Sequence, residues 1–334
     1  MRQLPEKGSP MRFMSRGFTV WLLLAASCLV STGLQAQTYP SRAVTLVVPF
    51  PPGGSADILA RTVGQKLALR LGQSVVVENK AGAGTAIGAR FVAESAPDGH
   101  TLLLGTVSSQ AINPAMSKVG YDPVRDFTAV SALASIPFVL VAHPAAPMNS
   151  VADVIQAARS KPGTLGYASA GPGTSNHLAG ELFSSAARIQ LMHVPYRGSA
   201  PALADVLAGH VPLMFDLQAT SIPNLRTQKL KALAVTGSQR SPLLPEVPTV
   251  AESGLPGFEV SAWFGVFAPA KVPPAVIKRL SDDLAAVLKA PDMVQRLREL
   301  GAEVDGRAQP EFAAYVRDEA AKYTAIVKGA GLAP

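Results

Sequence analysis

Two glycine-rich segments place hydroxyl and carboxylate side chains where a strand pattern gives way to a helix pattern. Residues 51–57 read Pro-Pro-Gly-Gly-Ser-Ala-Asp, and residues 169–177 read Ser-Ala-Gly-Pro-Gly-Thr-Ser-Asn-His. The first N–H groups of a helix have no partner within the helix and lie at the positive end of its dipole, so such turns favour an anion. A third turn, residues 105–110, adds more hydroxyls at the end of a strand. Facing each other, these turns would hold a carboxylate by neutral donors in a cleft.

Several side chains near these turns have two interpretations from sequence alone. Ser55 is either a donor to a ligand or the helix cap, and capping is favoured for Asp57. Asp216 follows the predicted strand 211–215, where it either accepts a hydrogen bond from a ligand ammonium or is solvated. Arg197 pairs with a ligand carboxylate or with a surface acid. These alternatives remain open at this point.

The motifs of the commonest enzymes are missing from the chain. Residues 82–88 resemble a dinucleotide-binding loop, but three residues separate them from the strand and the third glycine comes one position late. The sequence contains no Gly-Lys-Ser/Thr, no Gly-x-Ser-x-Gly and no His-Glu-x-x-His. His177 and Glu181 have ligand-like spacing, but two ligands do not make a metal site. We therefore predict no cofactor, no metal and no catalytic residue. A hydrolase or isomerase using Asp57, Asp216 and His177 is the less favoured alternative.

Composition and the N-terminus bound the class of protein. The 334 residues are 48% hydrophobic and 16% charged, with a net charge of +7 and no run of five basic residues, which argues against a nucleic-acid partner. Basic residues precede an apolar run at 18–30, too short to span a bilayer. We predict that residues 1–36 are a cleaved signal peptide and that the mature chain is soluble in the periplasm. Cys28, the only cysteine, lies in that run, and a lipoprotein signal at residues 25–28 is the less favoured alternative.

Strand and helix patterns alternate from residue 43 onward, which predicts an α/β fold. A first series runs to about residue 105, with Gly72 ending a helix over 55–71. A second series begins with a strand at 138 and ends near 235, and three helical patterns follow residue 268. With no strands of their own, these helices are expected to cover the first series, so that the chain crosses between two lobes near 135–140 and 260–268.

The chain resembles the Bug receptors, the extracytoplasmic solute-binding proteins of tripartite tricarboxylate transporters. The matching stretches span the mature chain in order: Tyr39-Pro40, residues 48–54 with Asp57 and Arg61, 77–80, 82–84, 97–103, 121–123 with Asp126-Phe127, 193–198, 230–235, 247–250 and 254–257. The resemblance implies a two-lobed periplasmic-binding-protein fold of type II, each lobe a mixed sheet flanked by helices, with a two-strand hinge. We divide it into a discontinuous lobe 1 (37–137 and 263–334) and a lobe 2 (138–262).

The same resemblance implies the function and the site. The expected ligand is a small di- or tricarboxylate, an acidic amino acid or an aromatic acid, gripped partly through water and delivered to a membrane permease or a sensor kinase. The predicted ligand-binding residues are Pro52, Gly53, Gly54, Ser55, Asp57, Ser108, Ser169, Gly173, Thr174, Ser175 and Asp216. Thr85 and the pair Ser55-Ala56 depart from the residues common in the family. A sensor or adaptor for a signalling system remains the alternative to a transport receptor.

Overall fold

The computed structural model describes residues 1–5 and 39–333, and the fold starts with a parallel βαβ unit. Strand β1 (Val44–Val48) leads into helix α1 (Ser55–Leu71), and strand β2 (Val75–Asn79) pairs parallel to β1. Helix α1 has the bounds that the sequence predicted. It ends at Gly72, whose φ of 68° and N–H bond to the Ala68 carbonyl are those of a left-handed C-cap.

The chain then builds the turn that later meets the second lobe. A short 3₁₀ turn (Ala83–Thr85) precedes helix α2 (Ala86–Ala93), and strand β3 (Thr101–Thr106) pairs parallel to β1 on the side opposite β2. A single π-helical turn (Ser108–Ile112) and the short helix α3 (Asn113–Met116) follow directly. The strand-end segment is therefore a compact buried turn rather than an extended loop.

Strand β4 (Phe127–Ala142) is 16 residues long and begins the second half of the sheet. The sequence predicted a strand only from residue 138, and this prediction was wrong. Pro137 suggested a break, but it lies where the pairing partners of β4 change, so its missing N–H is tolerated there. The elements after β4 are α4 (Val151–Ser160), β5 (Gly166–Ser169), α5 (Ser175–Ala187), β6 (Met192–Pro195), α6 (Ser199–Leu207), β7 (Leu213–Leu217), α7 (Gln218–Arg226) and β8 (Lys231–Val235).

The remaining elements return to the first half of the sheet. Strand β9 (Ser261–Pro269) inserts between β3 and β4, antiparallel to both. Helices α8 (Pro274–Lys289), α9 (Pro291–Glu299) and α10 (Gln309–Gly329) follow, with strand β10 (Glu303–Val304) pairing with β4. Asp283 of α8 pairs with Arg70 of α1 at 3.0 Å, and Glu319 of α10 accepts from the Trp263 indole of β9 at 2.9 Å. The last helices therefore pack on the βαβ half of the molecule.

The register of β4 divides the sheet into two lobes. Residues 127–137 of β4 pair with β9, whereas residues 138–142 pair with β7 and β8. On the return crossing, the Val260 N–H bonds to Thr236 at the end of β8, and Ser261 already pairs with Pro137. We call the part around β1, β2, β3, β9 and β10 lobe 1 and the part around β5 to β8 lobe 2. The fold is thus a two-lobed α/β fold whose lobes share two strand crossings, while the exact boundaries 37–137, 138–262 and 263–334 remain a prediction.

Helix α7 and strand β10 are among the elements that the sequence patterns missed. Helix α7 contains Pro223, and its first five residues are all buried, so it shows neither helix-favouring composition nor an amphipathic pattern. Strand β10 is two residues long and lies in a tail that was expected to have no strands. Both elements owe their structure to tertiary packing.

Candidate functional site

Hydroxyl groups from both lobes meet where strand-end turns lead into helices. In lobe 1 these are the start of α1, after β1, and the π turn after β3. In lobe 2 they are the starts of α5, α6 and α7, after β5, β6 and β7. Ser55 Oγ lies 3.1 Å from Thr220 Oγ1, and the Ser175 N–H donates to Ser108 Oγ at 3.0 Å. The two lobes are therefore in direct hydrogen-bonded contact at this point.

Asp57 organises the first turn of lobe 1. Its carboxylate is 4% exposed and accepts bonds from the Gly53 N–H at 3.0 Å, the Arg61 Nε at 3.0 Å and the Asn79 Nδ2 at 2.9 Å. Burial acts to raise the pKa of Asp57, but the bonds from Arg61, Gly53 and Asn79 outweigh it, and the net shift is downward. With both carboxylate oxygens engaged, the side chain holds the backbone of the turn in place.

The glycine-rich part of that turn packs against helix α6. Pro52 and Gly53 are exposed, whereas Gly54 is buried. A Cβ at Gly54 would lie 3.0 Å from Ser199 Oγ, and Pro51 lies against Gly198. The start of α1 therefore lies close to the start of α6.

Ser55 is connected through Thr220 to a buried carboxyl group. Thr220 and Ser221 each donate to Asp216 Oδ2 at 2.7 Å. Asp216 is fully buried, and its second oxygen, Oδ1, has no hydrogen-bond partner among the described residues. Burial raises the pKa of Asp216 to about 6, against the lowering effect of hydrogen bonds from the Thr220 and Ser221 hydroxyls and from the Leu217 backbone. The solvated alternative for Asp216 is excluded, and the prediction that it follows a strand was wrong, because β7 extends to Leu217 and includes it.

Ser108 and Ser175 form the second hydrogen-bonded contact between the lobes. Besides accepting from the Ser175 N–H, Ser108 Oγ donates to Ser175 Oγ at 3.3 Å. Both side chains are buried. The neighbouring Ser109 instead bonds within its own turn, to Thr106. Of the hydroxyls in residues 105–110, the structure thus brings Ser108 to the other lobe.

Hydrogen bonds within the turn after β5 hold its conformation. Ser169 Oγ accepts from the Gly171 N–H at 3.0 Å and lies 2.6 Å from His193 Nε2, while Thr174 Oγ1 donates to the Gly171 carbonyl at 2.6 Å. Gly173, with φ 76°, approaches lobe 1 so closely that a Cβ would lie 2.5 Å from Asn113 Oδ1. Ser169 and Thr174 shape the turn, and Gly173 allows the lobes to approach.

Three residues of this interface were missed in the sequence analysis: Ser199, Thr220 and Asn113. Asn113 is buried, and its Nδ2 donates to the carbonyls of Ala83 and Gly84 at 2.8 Å each. Ser199 follows a glycine at a strand-to-helix turn, the same pattern as Ser55, and this pattern could have identified it. Nothing local marks Thr220 or Asn113, because their role depends on contacts with other elements.

The loop that resembled a dinucleotide-binding motif is a contact loop between lobes. Gly84 lies against the Pro172 carbonyl of lobe 2. Thr85, one of the departures from the family pattern, takes a φ of 90°, a region that strongly favours glycine and is strained for a β-branched residue. The departure therefore places strain beside the site.

His177 belongs to a buried aromatic cluster. Its ring stacks on that of His193 with centroids 4.0 Å apart, and its Nε2 lies 3.7 Å from Glu181 Oε1. Burial lowers the pKa of each histidine to about 4, so both are neutral at neutral pH. Among residues 1–5 and 39–333, no group of three metal-ligating side chains is close enough to hold an ion. Within the same residues, no hydrogen bond joins His177 to Asp57 or Asp216.

Comparison with known proteins identifies the family. The model of the tripartite tricarboxylate transporter family receptor matches residues 59–332. The chain belongs to this receptor family. Protein BugT of Bordetella pertussis is 34% identical over 320 residues, which cover 95% of this chain and 98% of BugT. The resemblance to Bug receptors is therefore confirmed.

Two solved structures show how closely this receptor follows its relatives. A Rhodopseudomonas palustris protein solved with adipate is 39% identical with a TM-score of 0.86, covering 89% of this chain and 99% of that one. MatC of the same organism, with bound malate, is 36% identical with a TM-score of 0.83, and the match covers 86% of this chain and 100% of MatC. The two-lobed fold of the receptor is thereby confirmed. In the described part of the receptor, no helix is both long and apolar enough to cross a bilayer.

Proposed function

We propose that this receptor captures a small carboxylated solute between its lobes in the periplasm and delivers it to the membrane permease of a tripartite tricarboxylate-type transporter. The observation that carries the proposal is the meeting of helix starts and hydroxyls from both lobes, through Ser55–Thr220 and Ser108–Ser175. Closing the lobes on a ligand would present a new surface to the permease.

The chemistry of the interface suits a carboxylate. Helix N-termini supply N–H donors and a favourable dipole, and the hydroxyls of Ser55, Ser108 and Ser175 can turn their donors toward an anion. Water bridges can be nearly as favourable as direct hydrogen bonds. Adipate and malate, the ligands of the two solved relatives, support a small dicarboxylate as the ligand class. We propose Pro52, Gly53, Gly54, Ser55, Asp57, Ser108, Ser169, Gly173, Thr174, Ser175 and Asp216 as the residues that bind the ligand or shape its turns.

The same proposal covers location and chemistry. Residues 1–36 would be the cleaved signal peptide; most of them, 6–36, lie outside the described residues. The receptor would bind without turnover, because each candidate catalytic group already has a structural partner: Arg61 for Asp57, Thr220 and Ser221 for Asp216, and the stacked His193 for His177.

A thermal-shift screen of the chain from Gln37 against mono-, di- and tricarboxylates and acidic or aromatic amino acids tests this function, followed by titration calorimetry of the hits. A ligand at 100 times its Kd stabilises by about 2.7 kcal/mol, which a shift in Tm reports. Ser108→Ala removes two hydrogen bonds between the lobes and should weaken the best hit about tenfold. Ser160→Ala, which removes an exposed hydroxyl bonded to the Ala157 carbonyl, is the matched control and should bind like the wild type. A panel with no hit would overturn the proposed function.

A further inference from the structure

Asp216 is a carboxylate without a counter-charge in a site that we propose for anions. It is fully buried, the side-chain hydrogen bonds that it receives come from the neutral hydroxyls of Thr220 and Ser221, on Oδ2, and a backbone hydrogen bond with Leu217 also favours its charged form. Oδ1 has no partner among the described residues. An ionised carboxylate buried in this way is unfavourable unless something neutralises it or donates to it.

Asp216 is also linked to the contact between the lobes. Thr220 Oγ1 shares its one proton between Asp216 Oδ2, at 2.7 Å, and the Leu217 carbonyl, at 3.0 Å, so it accepts from Ser55 Oγ at 3.1 Å. A hydrogen-bonded chain therefore runs from the start of α1 in lobe 1 to the carboxyl in lobe 2. Lobe closure completes this chain, which ends at a carboxyl whose Oδ1 has no partner in residues 1–5 and 39–333.

The elements packed against β7 bring no cation to Asp216. Strand β4 has no titratable residue, and Tyr167 of β5 donates to Glu181 of α5. His177 of α5 is neutral, stacked on His193, and Asp205 of α6 accepts from Tyr196. Arg226 lies in the last turn of α7, and Asp57 and Arg61 of α1, the helix that carries Ser55, pair with each other. A bound dicarboxylate would thus add negative charge to a site whose buried carboxylate already has no counter-charge.

We propose that Asp216 takes up a proton when the lobes close on a dicarboxylate, so that the receptor captures its ligand together with one proton. The proton comes from solvent and bonds to Oδ1, and the resulting O–H donates to a carboxylate oxygen of the ligand, while Oδ2 keeps its two hydroxyl donors. One negative charge is removed as the ligand brings its own. This inference rests on the proposed function and adds a proton to the bound complex.

The carboxyl of Asp216, whose pKa is raised to about 6 by burial, is ionised at pH 7.5. Binding should therefore take up close to one proton at that pH. Affinity should fall about tenfold per pH unit above pH 7, because each unit makes the protonated form ten times rarer.

Titration calorimetry with adipate, L-malate, succinate and L-aspartate, from pH 6.5 to 8.5, tests the proposed proton uptake. Buffers of different ionisation enthalpy report how many protons are taken up on binding. Asp216→Asn mimics the neutral acid, since Thr220 and Ser221 donate to the amide oxygen and the amide N–H occupies the position of Oδ1. We expect the Asn variant to bind dicarboxylates with no proton uptake and with an affinity that is flat across this range. Asp282→Asn, at an exposed ion pair with Lys278, is the control and should keep the wild-type pH dependence.

Each result separates the two proposals. Dicarboxylate binding by the wild type without proton uptake, or with the same pH dependence in Asp216→Asn, would overturn the proposed proton uptake. The proposal that the receptor binds carboxylates would still stand. Binding of L-aspartate but not of succinate, lost in Asp216→Asn, would also overturn it and would assign Oδ1 to a ligand ammonium. Binding of none of the four probes, together with a silent wider panel, would overturn both.

Discussion

Adding one methyl group at Gly173 should weaken ligand binding by keeping the lobes apart. A Cβ there would lie 2.5 Å from Asn113 Oδ1 and 2.9 Å from its Cγ, whereas ordinary contacts begin at 3.4 Å, a shortfall of about 0.9 Å. Asn113 cannot swing away freely, because its side chain donates to two carbonyls at 2.8 Å and accepts from Ser117 at 2.7 Å. Either those bonds break or the lobes separate by about that distance.

The steric cost of the added methyl group falls on the closed state alone, because only there does Gly173 lie against Asn113. Losing two hydrogen bonds of about 1 kcal/mol each raises the free energy of the closed form by about 2 kcal/mol. That corresponds to an affinity about thirtyfold weaker for Gly173→Ala. The matched control is Gly163→Ala, because Gly163 has a φ of 72° against 76° at Gly173 and no atom within 4 Å of a Cβ. Both variants should lose about 1 kcal/mol of stability from the left-handed conformation.

Titration calorimetry against the best ligand of the panel measures the affinity, and thermal unfolding without ligand measures the stability. We expect similar losses of Tm in the two variants but a loss of affinity in Gly173→Ala only. Wild-type affinity in Gly173→Ala would show that the ligand-bound lobes do not approach as closely as in this structure. Equal loss of affinity in both variants would assign the effect to general destabilisation and refute the steric argument.

Two further changes test the surroundings of the site. The pKa of His177 is lowered from 6.5 to about 4 in the folded state, so its neutral form contributes stability that is present above pH 6.5 and is lost as the pH falls toward 4. His177→Gln should therefore lose less stability than the wild type between pH 6.5 and 4, by up to about 3 kcal/mol, in urea unfolding at several pH values; parallel pH curves would contradict this. Thr85→Gly should raise the stability by about 1 kcal/mol, because glycine adopts φ 90° without strain, and an unchanged or lower Tm would show that the strain is compensated locally.

The sequence predicts most of the fold where local chemistry marks an element at both ends. Helix α1 was predicted to the residue because Gly54 precedes it and Gly72 ends it in a left-handed conformation. The start of β4 was wrong because Pro137 looks like a boundary, and only the change of pairing partners shows why it is tolerated. Helix α7 was missed because its sequence pattern is set by burial on several sides.

In the candidate site, too, the sequence predicts the features that depend on local chemistry and misses those that depend on packing. The turns at residues 51–57 and 169–177 were predicted from their composition, and the partner of Asp57 lies four residues along the same helix, at Arg61. Asp216 was expected just after a strand but lies inside strand β7, and its donors Thr220 and Ser221 belong to helix α7, which the sequence patterns missed. Its burial and its link to Ser55 depend on packing between lobes, which no local pattern reports.

The continuous strand β4 also constrains the order in which the chain can fold. As the chain becomes available from its N-terminus, residues 138–142 of β4 can pair with β7 and β8 as soon as lobe 2 is complete. Residues 127–137 must wait for β9, which comes only after the whole of lobe 2. Until then, residues 127–137 of this apolar 16-residue strand have an open edge, the kind of surface that recruits chaperones or aggregates. Lobe 2 should therefore mature first, and a chain cut short before Ser261 would keep an unpaired strand edge that the complete chain buries.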